Sequence, residues 1–164
     1  MKHYPVMLKE CIDELNIHED GIYVDATLGA GGHSYEIAQK LKNGRLIVFD
    51  KDIEAIERGK KRLEPFADKV IFCHRSYAEM KEALAEEGIE EVDGILFDLG
   101  VSSPQFDDPK RGFSHRYDEK LDMRMDQRQA FSAYDVVNTY SEEALVEILR
   151  VYGEERYAKG IALY

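Results

Sequence analysis

Two cysteines, Cys11 and Cys73, are all the 164-residue chain carries. Neither sits in a CxxC pair or a Cys/His cluster with zinc-ligand spacing, which excludes a disulfide scaffold and a structural zinc site. They read as reduced thiols of a cytoplasmic protein. No apolar run approaches the roughly 18 residues of a membrane span, and the first residues lack the apolar core of a secretory signal. The expectation is a soluble protein with no membrane partner and no bound metal. Positive charge is scarce as well: 22 Lys and Arg stand against 33 Asp and Glu, a net charge of −11. That balance disfavours indiscriminate binding to nucleic acid, which is driven by phosphate neutralisation and counterion release, but it leaves room for a structured RNA met locally.

With 44% apolar residues the chain can bury one domain-sized core and an appendage. Leu8, Cys11, Ile12 and Leu15 recur at helical spacing after Pro5. Ile22–Val24, Leu46–Phe49, Val70–Cys73 and Ile95–Phe97 are short apolar runs of strand type. Between them lie helical patterns through Ile37, Ala38 and Leu41, through Ile53, Ile56 and Leu63 with Asp52 as N-cap, and through Met80, Ala83 and Leu84. Alternation of this kind predicts an α/β fold around a parallel sheet with right-handed crossovers. From Leu99 to Gln129 no clear period is visible, with Ser102, Ser103 and Pro104 forming a polar turn. Ser141 then caps a helix through Leu145, Ile148 and Leu149, and a further helical pattern begins at Glu154.

Asp25–Ser34, DATLGAGGHS, joins the first strand to the next helix through Gly29, Gly31 and Gly32. Such a junction lets the backbone approach a ligand closely, with the N–H groups of the helix start facing its polar atoms. Asp50 ends the second strand about 20 residues downstream, where an acid can take two ribose hydroxyls. Loop and acid together point to an adenosine-containing cofactor. Ser34 stands where a dinucleotide fingerprint wants glycine or alanine, which weighs against a nicotinamide reductase. The Asp25-to-Gly29 spacing resembles the loop of S-adenosylmethionine-dependent methyltransferases that act on amino groups of nucleic-acid bases.

Other candidates admit two roles each. His33 either contacts the cofactor or caps the turn. Tyr77 either packs in the core or lies against an adenine face. Asp98, at the carboxyl end of the fourth strand, either meets the ligand or caps the following turn. Gln105 offers an amide to a cofactor or a base edge. Between Gln105 and Arg128 six basic residues face six acidic ones. With Phe106, Phe113 and Tyr117 among them, the segment is either an RNA-facing surface or a salt-bridged one.

Taken together, HYPVMLKE, YVDATLGAGGHS, DGILFDLGVSSPQFDDPKRGFS, LDMRMD and YGEER resemble the bacterial 16S ribosomal RNA cytosine-N4 methyltransferases along essentially the whole chain. The resemblance implies a Rossmann-like methyltransferase core over residues 1–104. A linking loop and the beginning of an inserted helical domain would occupy residues 105–164. It also implies S-adenosylmethionine as cofactor, held by Gly31, Gly32, His33, Asp50, Tyr77, Asp98 and Gln105. The partner it implies is 16S ribosomal RNA in the small ribosomal subunit, methylated on a cytidine of the decoding centre. Glu119 and Lys120 replace the Gly-Pro or Ala-Pro pair common in that family, and His115 replaces a commoner aromatic. Family members are considerably longer, so the resemblance further implies a fragment with reduced or no turnover. A cofactor- or RNA-binding module without catalysis is the alternative reading, and a nicotinamide-dependent oxidoreductase a more distant one.

Overall fold

A computed structural model describes residues 4–164. These form two compact units, one ending at Ser103 and the other running from Pro104 to Tyr164.

The first unit is α/β. In chain order it contains α1 (Leu8–Glu14), β1 (Ile22–Asp25), α2 (Gly32–Lys40), β2 (Arg45–Phe49), α3 (Ile53–Arg62), β3 (Val70–Cys73), α4 (Met80–Glu86) and β4 (Gly94–Leu96). All four strands are parallel, in the spatial order β3-β2-β1-β4. The expected parallel sheet is therefore present. Its alternation sorts the side chains onto two buried faces. Tyr23, Leu46, Val48, Val70 and Leu96 point to one face and pack with Ile12 of α1, Ile37 and Ala38 of α2, and Ile56 of α3. Val24, Ile47 and Phe49 point to the other, against Ala83 of α4 and Ile89.

Local chemistry sets the helix limits. Asp52 caps α3, its carboxylate accepting the Glu54 N–H at 3.0 Å. A single turn of 3-10 helix, Tyr77–Glu79, capped by Ser76, precedes α4. The last strand lies one residue earlier than its apolar run indicates, because Phe97 has already left the ladder.

The second unit holds α5 (Ser103–Asp107, whose first residue closes the first unit), α6 (Ala133–Thr139), α7 (Glu142–Val151) and α8 (Ala158–Ala162). Three features differ from expectation. The polar turn at Ser102–Pro104 continues as α5, since proline is tolerated in a first helical turn. A helix absent from the periodicity, α6, is nucleated by a capping box between Ser132 and Asp135. The last helix starts at Ala158 rather than Glu154, because Glu154 adopts a left-handed φ of 50° that a helix cannot contain. Ser141 caps α7 as expected. Among the described residues, no helix is long and apolar enough to cross a membrane.

Candidate functional site

The strand order carries the location of the site. From β1 the chain steps outward to β2 and β3, then returns to the opposite side of β1 for β4. Loops leaving the carboxyl ends of β1 and β4 thus diverge, opening the crevice in which doubly wound sheets bind ligands. The loop after β1 is the glycine-rich segment; the loop after β4 begins at Phe97 and Asp98.

The glycine loop is tied down on both sides. The Ala26 N–H donates to the Leu96 carbonyl and the Leu28 N–H to the Phe49 carbonyl, each at 2.9 Å. Gly31 serves as the N-cap of α2 with φ 70°, a conformation costly for a residue bearing a Cβ. At Gly32 a Cβ would lie 2.2 Å from Cγ of Pro5, so the N-terminal segment packs directly on the helix start. The first-turn N–H groups of α2 lack intrahelical partners, as at any helix start, and form the positive end of its dipole.

Asp50 follows β2 and faces this loop. Its Oδ2 accepts the Gly29 N–H and its Oδ1 the Asp52 N–H, each at 2.9 Å. A carboxylate offers about four acceptor positions, so two are left for further donors. Burial pushes its pKa above the ordinary carboxylate value, while the two amide hydrogen bonds pull the other way.

Beneath the loop, Asp25 is fully buried, 1% exposed. Its Oδ1 accepts the Thr27 N–H at 3.1 Å and its Oδ2 accepts the Ser34 hydroxyl. Desolvation raises this carboxyl above its usual range, against the pull of both hydrogen bonds. Ser34, which breaks the dinucleotide fingerprint, thus has a positive role in closing the loop.

His33 lies in the first turn of α2, buried at 6% exposure. Its Nε2 is 3.0 Å from the Val6 carbonyl, which can only accept, so Nε2 carries the proton. Its Nδ1 stands 3.9 Å from Oδ2 of Asp98. In the neutral ring these two atoms form a pair of acceptors awaiting an N–H or O–H donor. The Asp98 backbone N–H donates to Oγ1 of Thr27 at 2.8 Å. Tyr77 is exposed, not packed in the core. Its ring meets Phe97 edge-on, with centroids 5.4 Å apart and planes at 88°.

The structure therefore gathers Gly31, Gly32, His33, Asp50 and Asp98 along one edge of the sheet and brings Tyr77 to the residue beside Asp98. Gln105 belongs to α5 of the second unit, where it is buried. The roles of Thr27 and Phe97, and the hydrogen bond from the Ser34 hydroxyl to Asp25, were not read from the sequence.

In the second unit four of the basic residues are engaged internally. Arg111 is 1% exposed and its Nη2 donates to the carbonyls of Arg124 and Met125. Arg124 chelates Asp122, holding that carboxyl below its usual range, and Arg128 pairs with Asp126 at 2.8 Å. Lys120 lies over the Tyr134 ring at 4.9 Å from its centroid. Of the two readings of this segment, the salt-bridged one describes Arg124 and Arg128, while Arg111 is spent on main-chain carbonyls and Lys120 on a ring face. Among the described residues no cluster of three or more His, Cys, Asp or Glu is arranged to hold a metal.

Comparison with known proteins agrees with this geometry. The model of the MraW methylase family matches residues 1–164. Ribosomal RNA small subunit methyltransferase H 2 of Agathobacter rectalis is 56% identical over 163 residues, covering 98% of this chain and 52% of that protein. Ribosomal RNA small subunit methyltransferase H of Finegoldia magna is 52% identical over 161 residues, with the same two coverages, 98% and 52%. The chain thus spans about half the length of the curated relatives it matches. Among solved structures, a chain assigned as an rRNA-methylase of Clostridium thermocellum superposes with a TM-score of 0.52 at 25% identity. That superposition covers 61% of this chain and 54% of the other.

Proposed function

The chain belongs to the MraW methylase family, and from that membership we propose that it forms the S-adenosylmethionine site of a ribosomal RNA methyltransferase acting on the exocyclic N4 of a cytidine in 16S RNA. The proposed target lies at the decoding centre of the small subunit, and the proposed site of action is the cytoplasm. The observation that carries the reading is the Asp50 carboxylate, fixed by two amides on one side of a glycine loop while keeping acceptor capacity for a ribose.

The residues present fit that cofactor. Asp50 takes the ribose hydroxyls; Gly31, Gly32 and His33 supply the helix-start backbone; Tyr77 offers an aromatic face to the adenine; Asp98 completes the pocket from the β4 loop, and Gln105 is kept as a cofactor contact on the resemblance alone. When bound, S-adenosylmethionine supplies an electrophilic methyl group on a sulfonium. The protein's contribution is to orient an amine for in-line attack on that group and to exclude competing geometries. Asp98 is the acceptor best placed to polarise an N–H at the crevice, since its backbone is fixed by Thr27 and its carboxylate faces His33. The target base must be unpaired or flipped, because in a helix its amino group is occupied by pairing.

Thiol placement favours amino over ring-carbon methylation. Methylation at cytosine C5 needs a cysteine nucleophile at the site. Cys11 lies on α1, and Cys73 on β3 packs into the core with its thiol pushed up by burial.

The test is transfer of a labelled methyl group from S-adenosylmethionine to unmodified small ribosomal subunits, followed by nucleoside analysis. Label in N4-methylcytidine is the expected result. Label in 5-methylcytidine, or in ribose, would overturn the assignment.

A further inference from the structure

The ladder between β1 and β4 ends with the pairing of Asp25 and Leu96 and the bond from the Ala26 N–H to the Leu96 carbonyl. In an unbroken parallel ladder the next bond would run from the Asp98 N–H to the Ala26 carbonyl. The structure gives that donor to a side chain instead: Oγ1 of Thr27 accepts it at 2.8 Å. We propose that Thr27 is a positioning residue for the methyl-donor site, adding one side-chain rung to the sheet so that the residues after β4 keep their alternation at the point where the two loops part.

The consequence of that rung is visible on either side of it. Leu96 points to the α2 face of the sheet. With alternation preserved through residue 98, Phe97 turns to the α4 face, where it meets Tyr77 at 5.4 Å. Asp98 turns to the α2 face, where its carboxylate meets Nδ1 of His33 at 3.9 Å. One hydroxyl therefore assigns Phe97, the ring partner of Tyr77, and the candidate ligand contact Asp98 to opposite faces of the sheet. Without it, Gly100, with φ 147° and open space where a Cβ would lie, leaves little in the β4 loop itself to hold that alternation.

Thr27 is in turn fixed from below. Its own N–H donates to Oδ1 of Asp25, whose Oδ2 accepts the hydroxyl of Ser34 next to His33. The buried carboxylate thus holds both residues that flank Asp98, Thr27 through its amide and His33 through the helix start. The residue type at position 27 follows from this arrangement. Its side chain must be short enough to reach a neighbouring backbone amide and must carry an acceptor, while its β-branch limits χ1 to few rotamers.

The proposal rests on the reading of this crevice as a methyl-donor site, and its test separates the two. Thr27→Val keeps the shape and removes the acceptor; Thr27→Ser keeps the acceptor; Thr27→Ala replaces the valine variant should that fail to fold. Two readouts are taken: the Kd for S-adenosylmethionine, and amide hydrogen exchange at Asp98 in the ligand-free chain. Thr27→Val is expected to weaken binding about tenfold, the scale of one lost hydrogen bond, and to accelerate exchange at Asp98. Thr27→Ser is expected to restore both to within about threefold of the parent, on the same scale. In an Asp98→Ala background, Thr27→Val should cost less than about twofold more, because neighbours acting through one another are not additive.

Unchanged binding in Thr27→Val, serine as damaging as valine, or the full tenfold loss persisting without the Asp98 carboxylate would each overturn the positioning role. If the parent chain fails to bind S-adenosylmethionine, the methyl-donor reading falls. The rung itself is then still judged by exchange at Asp98, and unaltered exchange in Thr27→Val would remove it as well.

Discussion

Oδ2 of Asp50 accepts the backbone N–H of Gly29 at 2.9 Å, across 21 residues of sequence. That bond joins the end of β2 to the glycine loop after β1 and leaves two acceptor positions of the carboxylate for further donors. Asp50→Asn replaces one acceptor oxygen by a donor, which must then oppose the N–H of either Gly29 or Asp52. Charged hydrogen bonds contribute about 1.5–3 kcal/mol, so the variant is expected to bind S-adenosylmethionine roughly 10- to 100-fold more weakly. Isothermal calorimetry of the variant and parent reads this directly.

A second prediction concerns the buried carboxylate under the loop. Ser34→Ala removes the hydroxyl that donates to Asp25 beside the Thr27 amide and leaves the rest of the fold's contacts in place. Loss of a partner at a buried polar group costs about 1–3 kcal/mol. The expected shift in urea midpoint follows from that figure. An unchanged midpoint would mean that the hydroxyl does not support the carboxylate.

The pH dependence of the same group has a defined sign. Desolvation raises the Asp25 pKa in the folded protein above the ordinary carboxylate value. Its contribution is therefore fully favourable below the unfolded pKa and is lost as pH rises through the folded one. Asp25→Asn cannot ionise and should gain stability relative to the parent as pH rises above about 4, the region of the unfolded carboxylate. Urea unfolding of the two proteins at several pH values checks this, and a difference that stays flat with pH would contradict it.

At Gly32 the N-terminal segment offers a steric test. A Cβ there would lie 2.2 Å from Cγ of Pro5. Gly32→Ala is expected to destabilise the protein by about 1–3 kcal/mol, the usual scale of overpacking. Adding Pro5→Gly should recover most of the loss, since it removes the atoms in conflict. Failure of the double variant to recover would place the strain elsewhere in the helix start.

Buried parallel strands are near-continuous apolar runs, so LIVF and VIFC announced β2 and β3. Asp52 announced α3 through its cap. In the second unit the signals are shorter. Seven residues of α6 hold too little apolar periodicity to stand out, although the Ser132–Asp135 pair was there to be seen. Glu154 gave no warning of a left-handed backbone, because nothing in its side chain favours one.

At the site, the glycine loop and Asp50 were legible because their chemistry is local and their spacing follows from one strand, one helix and one more strand. Thr27 was not. A single hydroxyl bonded to a main-chain amide 71 residues away leaves no pattern in the intervening sequence. Ser34 was legible only as a mismatch to a dinucleotide fingerprint, and its bond to Asp25 supplies the reason for that mismatch.

Calorimetric titration of the purified chain with S-adenosylmethionine, with NADH as control and circular dichroism to establish folding, tests the central claim most directly. Saturable binding of the methyl donor, weakened by Asp50→Asn, and no binding of NADH are the expected results. A folded chain that ignores S-adenosylmethionine, or that takes up NADH in its place, would contradict that claim.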